Sequence, residues 1–145
     1  MIRIAGTPHH LALAVKSLAA ARPFYEMVLS PLGYKYNSPW DPLQYIGFRH
    51  EKTGFEIGFS PSLKDSPPHV KGHIGYHHFA LTAESKEQVD TIYKSLVHYY
   101  KEHGGESGET AGKILDAPRL YPEYGHSYYA LFFTDADGHK LEIAV

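Results

Sequence analysis

Two histidine pairs and two glutamates carry the chemistry open to this chain. His9-His10-Leu11-Ala12-Leu13 recurs as His77-His78-Phe79-Ala80-Leu81, 68 residues later. The register holds beyond those five positions, since Ser17 matches Ser85 and Tyr25 matches Tyr93. Successive side chains of a strand point to opposite faces. A first strand would therefore set Leu11, Leu13 and Val15 against His10, Ala12 and Ala14, and its repeat would set Phe79 and Leu81 against His78, Ala80 and Thr82. Two later segments divide the same way. Leu141, Ile143 and Val145 oppose Glu142 and Ala144, while Phe55, Ile57 and Phe59 oppose Glu56, Gly58 and Ser60. His10, Glu56, His78 and Glu142 thus share a register, each with Ala or Gly two positions on. Small neighbours leave room for a ligand, and an enclosed charge is costly unless paired or metal-bound. Two imidazoles and two carboxylates suit one divalent ion: Zn, Ni, Mn, Co or Fe. The competing reading makes the histidines hydrogen-bonded core groups and turns the glutamates to water. Glu56 fits the set least well, because it follows His10 by 46 residues whereas Glu142 follows His78 by 64. The other histidines, including His9, His77 and His139, point away from this face or lie in loops and are read as non-ligands.

Composition narrows the classes. A chain of 145 residues is one domain's worth, with enough length for a real core. At 43 % apolar residues it is globular. No apolar run approaches the roughly 18 residues of a membrane span. Met1-Ile2-Arg3-Ile4 does not open a signal peptide, so the expected location is cytoplasmic. Without cysteine there are no disulfides or thiolate ligands, and any metal must be held by nitrogen and oxygen. Net charge is −2 and the basic residues are scattered, which gives no nucleic-acid footprint. An excess of 11 histidines and 12 tyrosines calls for a reason.

The elements that must position the four residues follow the repeat. Strands are expected at 9–15 and 77–83, each followed by a helix. Ser17 is a plausible N-cap, and Ser85 with Gln88 three residues on is a capping-box pattern. The first helix should end near Ser30-Pro31, with Gly33 beyond, and Pro23 within it should kink or break it near Ala19. The second should stop at Gly104-Gly105. Three strands are expected in each half, at 34–37, 43–50 and 54–60, then at 112–115, 127–134 and 139–145, with Asp135-Ala136-Asp137-Gly138 as the last turn. The stretch 61–75 reads as a linker. The stretch 116–126, with Pro118, Pro122 and Gly125, reads as an irregular insertion.

These residues resemble a known family. His10-Leu-Ala-Leu-Ala-Val, Phe24-Tyr25-Glu-Met-Val-Leu29 and Leu32-Gly33 resemble the opening of the vicinal oxygen chelate superfamily, the glyoxalase/bleomycin resistance/dioxygenase proteins. Asp135-Ala-Asp-Gly138-His-Lys-Leu-Glu142 resembles its closing signature, with Ala136 where proline is common. The 28–33 stretch and the Arg119-x-Tyr121 and Tyr128-Tyr129-Ala130 stretches look like a bacterial and fungal subgroup labelled only as glyoxalase family. The resemblance covers essentially the whole chain. It implies an α+β fold of two tandem βαβββ modules forming a half-open barrel around a metal site. One domain, 1–145, would hold module one at about 1–60, the linker at about 61–75 and module two at about 76–145. By the same resemblance His10 and His78 fall at the first-strand ligand positions, Glu142 at the last-strand position and Glu56 at its counterpart. Many members of the subgroup lack a ligand at that counterpart.

The family theme is chelation of vicinal oxygens of a small molecule. The first reading is a glyoxalase-I-like (lactoylglutathione lyase type) isomerisation of a hemithioacetal, a thiol adduct, with Glu56 or Glu142 as the catalytic base. No basic cluster stands out for the carboxylates of glutathione. The second enzyme reading is an extradiol dioxygenase, in which His10, His78 and Glu142 make a 2-His-1-carboxylate triad and Tyr128, Tyr129 and His126 line the pocket. Fosfomycin-type thiol transferases use the same three ligands, but usually with a threonine where this chain has Ala12. A non-enzymatic reading is a metal-free drug-binding or resistance protein whose cleft is lined by tyrosines, Trp40 and Phe48; the intact ligand set argues against it. A homodimer is expected, because modules of this family often pair across chains and sheet edges need covering.

Overall fold

The computed structural model describes residues 4–38, 41–104 and 111–145; Trp40 and Gly105 lie outside them. The chain divides into two compact units, Met1–Ser66 and Pro67–Val145. The first unit runs β1 (His10–Val15), α1 (Leu18–Leu29), a 3-10 turn (Ser30–Leu32), β2 (Tyr34–Tyr36), β3 (Ile46–His50) and β4 (Glu56–Pro61). The second runs β5 (Phe79–Thr82), α2 (Lys86–His103), β6 (Lys113–Leu120), β7 (Tyr129–Thr134) and β8 (Lys140–Ala144). The sheets are ordered β1-β4-β3-β2 and β5-β8-β7-β6. In each, the first strand lies parallel to the last and the other pairs are antiparallel. Each unit is therefore one βαβββ module, and the fold class is α+β.

Both helices start as their sequences dictate. Ser17 Oγ accepts the Ala20 N–H and Ser85 Oγ accepts the Gln88 N–H, each at 3.2 Å, which satisfies donors left open at a helix start. Pro23 neither breaks nor shortens α1. It sits on the exposed side with Ala19, so the carbonyl deprived of its partner faces solvent. A side that meets water tolerates what a buried side would not. α1 buries Leu18, Phe24, Tyr25, Val28 and Leu29, and Tyr25 lies on Phe59 with ring centroids 4.0 Å apart. α2 buries Val89, Ile92, Leu96 and Tyr100. Fully burying a large apolar side chain contributes roughly 1.5–3 kcal/mol, so these stripes fix which face of each sheet turns to its helix. The opposite faces carry His10, Glu56, His78 and Glu142.

The stretch 116–126 is corrected in part. β6 continues through Asp116 and Pro118 to Leu120, with register shifts between Ile114 and Asp116 and between Asp116 and Arg119. A proline signals irregularity, but β6 is an edge strand, where a missing N–H and a bulge cost little. The stretch 62–78 holds no helix or strand, and Pro61, expected to open the linker, closes β4.

The turn between β7 and β8 is built on Asp135, which is 4 % exposed. Its Oδ1 accepts the N–H groups of Asp137 and His139 at 3.0 and 2.8 Å, and its Oδ2 lies 2.8 Å from His139 Nδ1. Gly138 has φ +83°, and a Cβ there would stand 2.4 Å from the His69 carbonyl oxygen, so no other residue fits. Burial alone would pull the His139 imidazole down, but the hydrogen bond and charge of Asp135 outweigh it and raise its pKa. A group raised in the folded state stabilises fully below its unfolded value, about 6.5, and loses that contribution as pH rises through the folded value. Asp135→Asn keeps an acceptor for the backbone but removes the charge facing His139. It is expected to cost about 2 kcal/mol by urea unfolding at pH 6, and less at pH 9. An equal loss at both pH values would rule out the His139 contribution.

Candidate functional site

The parallel pairing of first and last strands brings the predicted residues together within each unit. In unit one His10 is the register partner of Glu56. In unit two Ala80, two residues past His78, pairs with Glu142, and His78 Nε2 stands 3.1 Å from Glu142 Oε2. Glu142 is 3 % exposed, whereas Glu56 is half-buried. Among the described residues, no three His, Asp or Glu side chains gather as a metal site.

A tyrosine completes each pair. Tyr45 Oη donates to Glu56 Oε1 and Tyr128 Oη donates to Glu142 Oε1, both at 2.6 Å. The two contacts match in the ladder between the third and last strands, although against the first strands Glu142 lies opposite Ala80 where Gly58, not Glu56, lies opposite Ala12. Tyr45 stands two residues before Gly47, which pairs with Gly58, two residues past Glu56. Tyr128 stands two residues before Ala130, which pairs with Ala144, two residues past Glu142. The space over Gly58 is therefore taken by the chain itself: a Cβ there would come 1.8 Å from Tyr45 Oη. Burial first, then the hydrogen bond and charge of its glutamate, pushes each phenol up to about 12. Both hydroxyls stay protonated donors at neutral pH.

His9 and His77 are not mere bystanders. His9 Nδ1 lies 3.1 Å from His10 Nδ1, and His77 Nδ1 lies 2.6 Å from His78 Nδ1. In such a pair one nitrogen carries the proton and the other accepts it. When His10 or His78 donates from Nδ1, its Nε2 presents a lone pair, the outer-sphere arrangement common behind metal-bound histidines.

Beside Glu142 lies an apolar wall. Tyr121, Ala130, Phe132 and Ala144 form a buried cluster with Tyr128 against it, and the Arg119 guanidinium stacks on Tyr121 at 3.7 Å. Three other expected pocket residues are placed differently. Tyr129 belongs to the opposite face, where its hydroxyl donates to Asp90 of α2 at 2.7 Å; adjacent strand residues must diverge. His126 is an exposed loop residue. Phe48 is fully buried against Tyr36 and Phe59, so it is core and lines no cleft. Trp40 lies outside the described residues. The sequence reading missed Tyr45 altogether, and its signal was the shared spacing to a small residue, Tyr45-x-Gly47 and Tyr128-x-Ala130.

A family model described as the Glyoxalase/Bleomycin resistance protein/Dioxygenase superfamily matches residues 7–143. The Bacillus subtilis (strain 168) protein YqjT, itself uncharacterised, is 28 % identical over 137 residues, which cover 93 % of this chain and 95 % of that one. The glyoxylase/bleomycin resistance protein/dioxygenase domain from Frankia sp. EAN1pec superposes with a TM-score of 0.72 at 16 % identity, covering 99 % of this chain and 98 % of that one. The fosfomycin resistance protein FosX of Listeria monocytogenes superposes at 0.63 with 18 % identity, covering 98 % and 93 %.

Proposed function

Because this chain belongs to the Glyoxalase/Bleomycin resistance protein/Dioxygenase superfamily, we propose that it is a metal-dependent enzyme acting on a small molecule with adjacent oxygens. In this reading His10, Glu56, His78 and Glu142 are the residues that would hold one divalent ion. The pairing of His78 with Glu142 carries this reading. Metal bonds of about 2.0–2.1 Å meeting at roughly 90–110° put two ligand atoms about 2.9–3.4 Å apart. The 3.1 Å between His78 Nε2 and Glu142 Oε2 falls in that interval, with Glu142 Oε1 already held by Tyr128. The donor set, nitrogen and oxygen without sulfur, fits Zn, Ni, Mn, Co or Fe.

The reaction that suits four such ligands is glyoxalase-I-like isomerisation of a hemithioacetal. The bound ion supplies Lewis-acid stabilisation to charge developing on adjacent oxygens. A glutamate takes a proton from one carbon and returns it to its neighbour, so no oxidant or further reactant is needed. Glu56 is the better placed of the two, being less buried and, among the described residues, without a partner at Oε2 like the one His78 gives Glu142. Ala130, Ala144 and Phe132 offer an apolar wall that excludes water. A cytoplasmic homodimer completes the reading, since each sheet ends in two edge strands that need covering.

Metal analysis of protein purified without added chelator tests this. One equivalent of a divalent ion per chain, turnover of the methylglyoxal–glutathione hemithioacetal and a dimeric mass by sedimentation are expected. Metal-free protein that binds aromatic drugs without turnover would replace the enzyme with a binder, and a monomeric mass would remove the dimer.

A further inference from the structure

We propose that Tyr45 and Tyr128 are a matched pair of positioning residues, each fixing one glutamate oxygen so that the other is presented to the metal. This rests on the metal reading above. Both hydroxyls donate to Oε1 of their glutamate at 2.6 Å, from the same register of the ladder between the third and last strands. A single contact of this kind is ordinary packing. Its recurrence at both glutamates the sequence singles out, one in each unit, points to a shared role.

The neighbouring backbone is shaped for the contact. Glycine at 58 admits the Tyr45 ring, since a Cβ would stand 1.8 Å from Oη, 2.4 Å from Cζ and 2.7 Å from Cε2. Gly47 likewise leaves 3.3 Å from an added Cβ to Glu56 Oε1. A carboxylate free to rotate presents either oxygen, or both. One held by a short, charge-assisted hydrogen bond presents one oxygen in one direction, and loses less freedom when an ion arrives.

Tyr129 supplies the control. Its hydroxyl also donates to a carboxylate, Asp90, at 2.7 Å, but on the face that packs toward α2. The experiment titrates Mn²⁺ alone into wild type, Tyr45→Phe, Tyr128→Phe and Tyr129→Phe by calorimetry, with near-ultraviolet circular dichroism confirming that each is folded. Loss of an outer-sphere partner weakens metal binding by about 10–100-fold, so that loss is expected in Tyr45→Phe and Tyr128→Phe. Tyr129→Phe should lower the melting temperature with wild-type affinity. Gly58→Ala, which evicts the ring without touching the phenol, should reproduce the Tyr45→Phe affinity. Wild-type affinity in both Tyr45→Phe and Tyr128→Phe, with one ion bound to wild type, overturns the positioning role and leaves the metal reading standing. Wild type that takes up no ion overturns the metal reading, and this proposal with it.

Discussion

His78→Ala is expected to lower metal affinity by more than about 100-fold, beyond the range of an outer-sphere loss. Two contacts meet at this ring. Nε2 faces Glu142 at 3.1 Å and Nδ1 faces His77 at 2.6 Å. Removing the ring takes away a proposed ligand and also frees Glu142 on the side that Tyr128 does not hold. The fold should survive, because the side chain is 34 % exposed and β5 begins only at Phe79. His77→Ala is the informative companion. It removes the group behind the ring and not the ring, so its loss should stay within about 10–100-fold. Calorimetric titration of the folded variants orders the two. Unchanged stoichiometry and affinity in His78→Ala would sink the assignment of this histidine, and a larger loss in His77→Ala would exchange their roles.

The placement of these side chains was only partly legible in the sequence. The histidine repeat was visible because β1 and β5 open modules of like construction, and strand alternation sorts their side chains without reference to anything distant. Glu56 and Glu142 were visible for the same reason. Tyr45 was not, because the equivalence that reveals it is broken by loops of different length. The histidines are offset by 68 residues, the tyrosines by 83 and the glutamates by 86, so no single register aligns them. The ladders, Gly47 with Gly58 and Ala130 with Ala144, align each tyrosine with its glutamate but not with the histidines, since Ala12 pairs with Gly58 whereas Ala80 pairs with Glu142. Pro118 misled for a different reason. A proline marks a break when a strand is central, and sequence does not say that β6 would lie at an edge. Phe48 and Tyr129 were offered to a cleft by chemistry alone; in the fold one is core and the other reaches Asp90.

Glu56→Gln and Glu142→Gln are expected to fail differently, and the difference separates ligand from base. Glu142 is 3 % exposed and held at both oxygens, by Tyr128 and by His78. A carboxylate so confined is suited to staying where it is. Glu56 is half-buried, its Oε1 taken by Tyr45. A base must meet a carbon-bound proton, accept it and hand it on, which demands an oxygen able to move. Glu142→Gln should therefore lose metal chiefly, because a neutral amide is the poorer ligand, with turnover falling in proportion. Glu56→Gln should lose turnover of the hemithioacetal by about 10²–10⁴-fold even at saturating metal, more than its loss of metal explains. Measuring kcat on samples of known metal content keeps the two effects apart. Turnover that tracks metal content in Glu56→Gln, and outruns it in Glu142→Gln, would move the base to Glu142. Retained metal with undiminished turnover in Glu56→Gln would remove Glu56 from both roles. His10, His78 and Glu142 would then stand as a three-residue site to be assayed with Fe(II), oxygen and catechols.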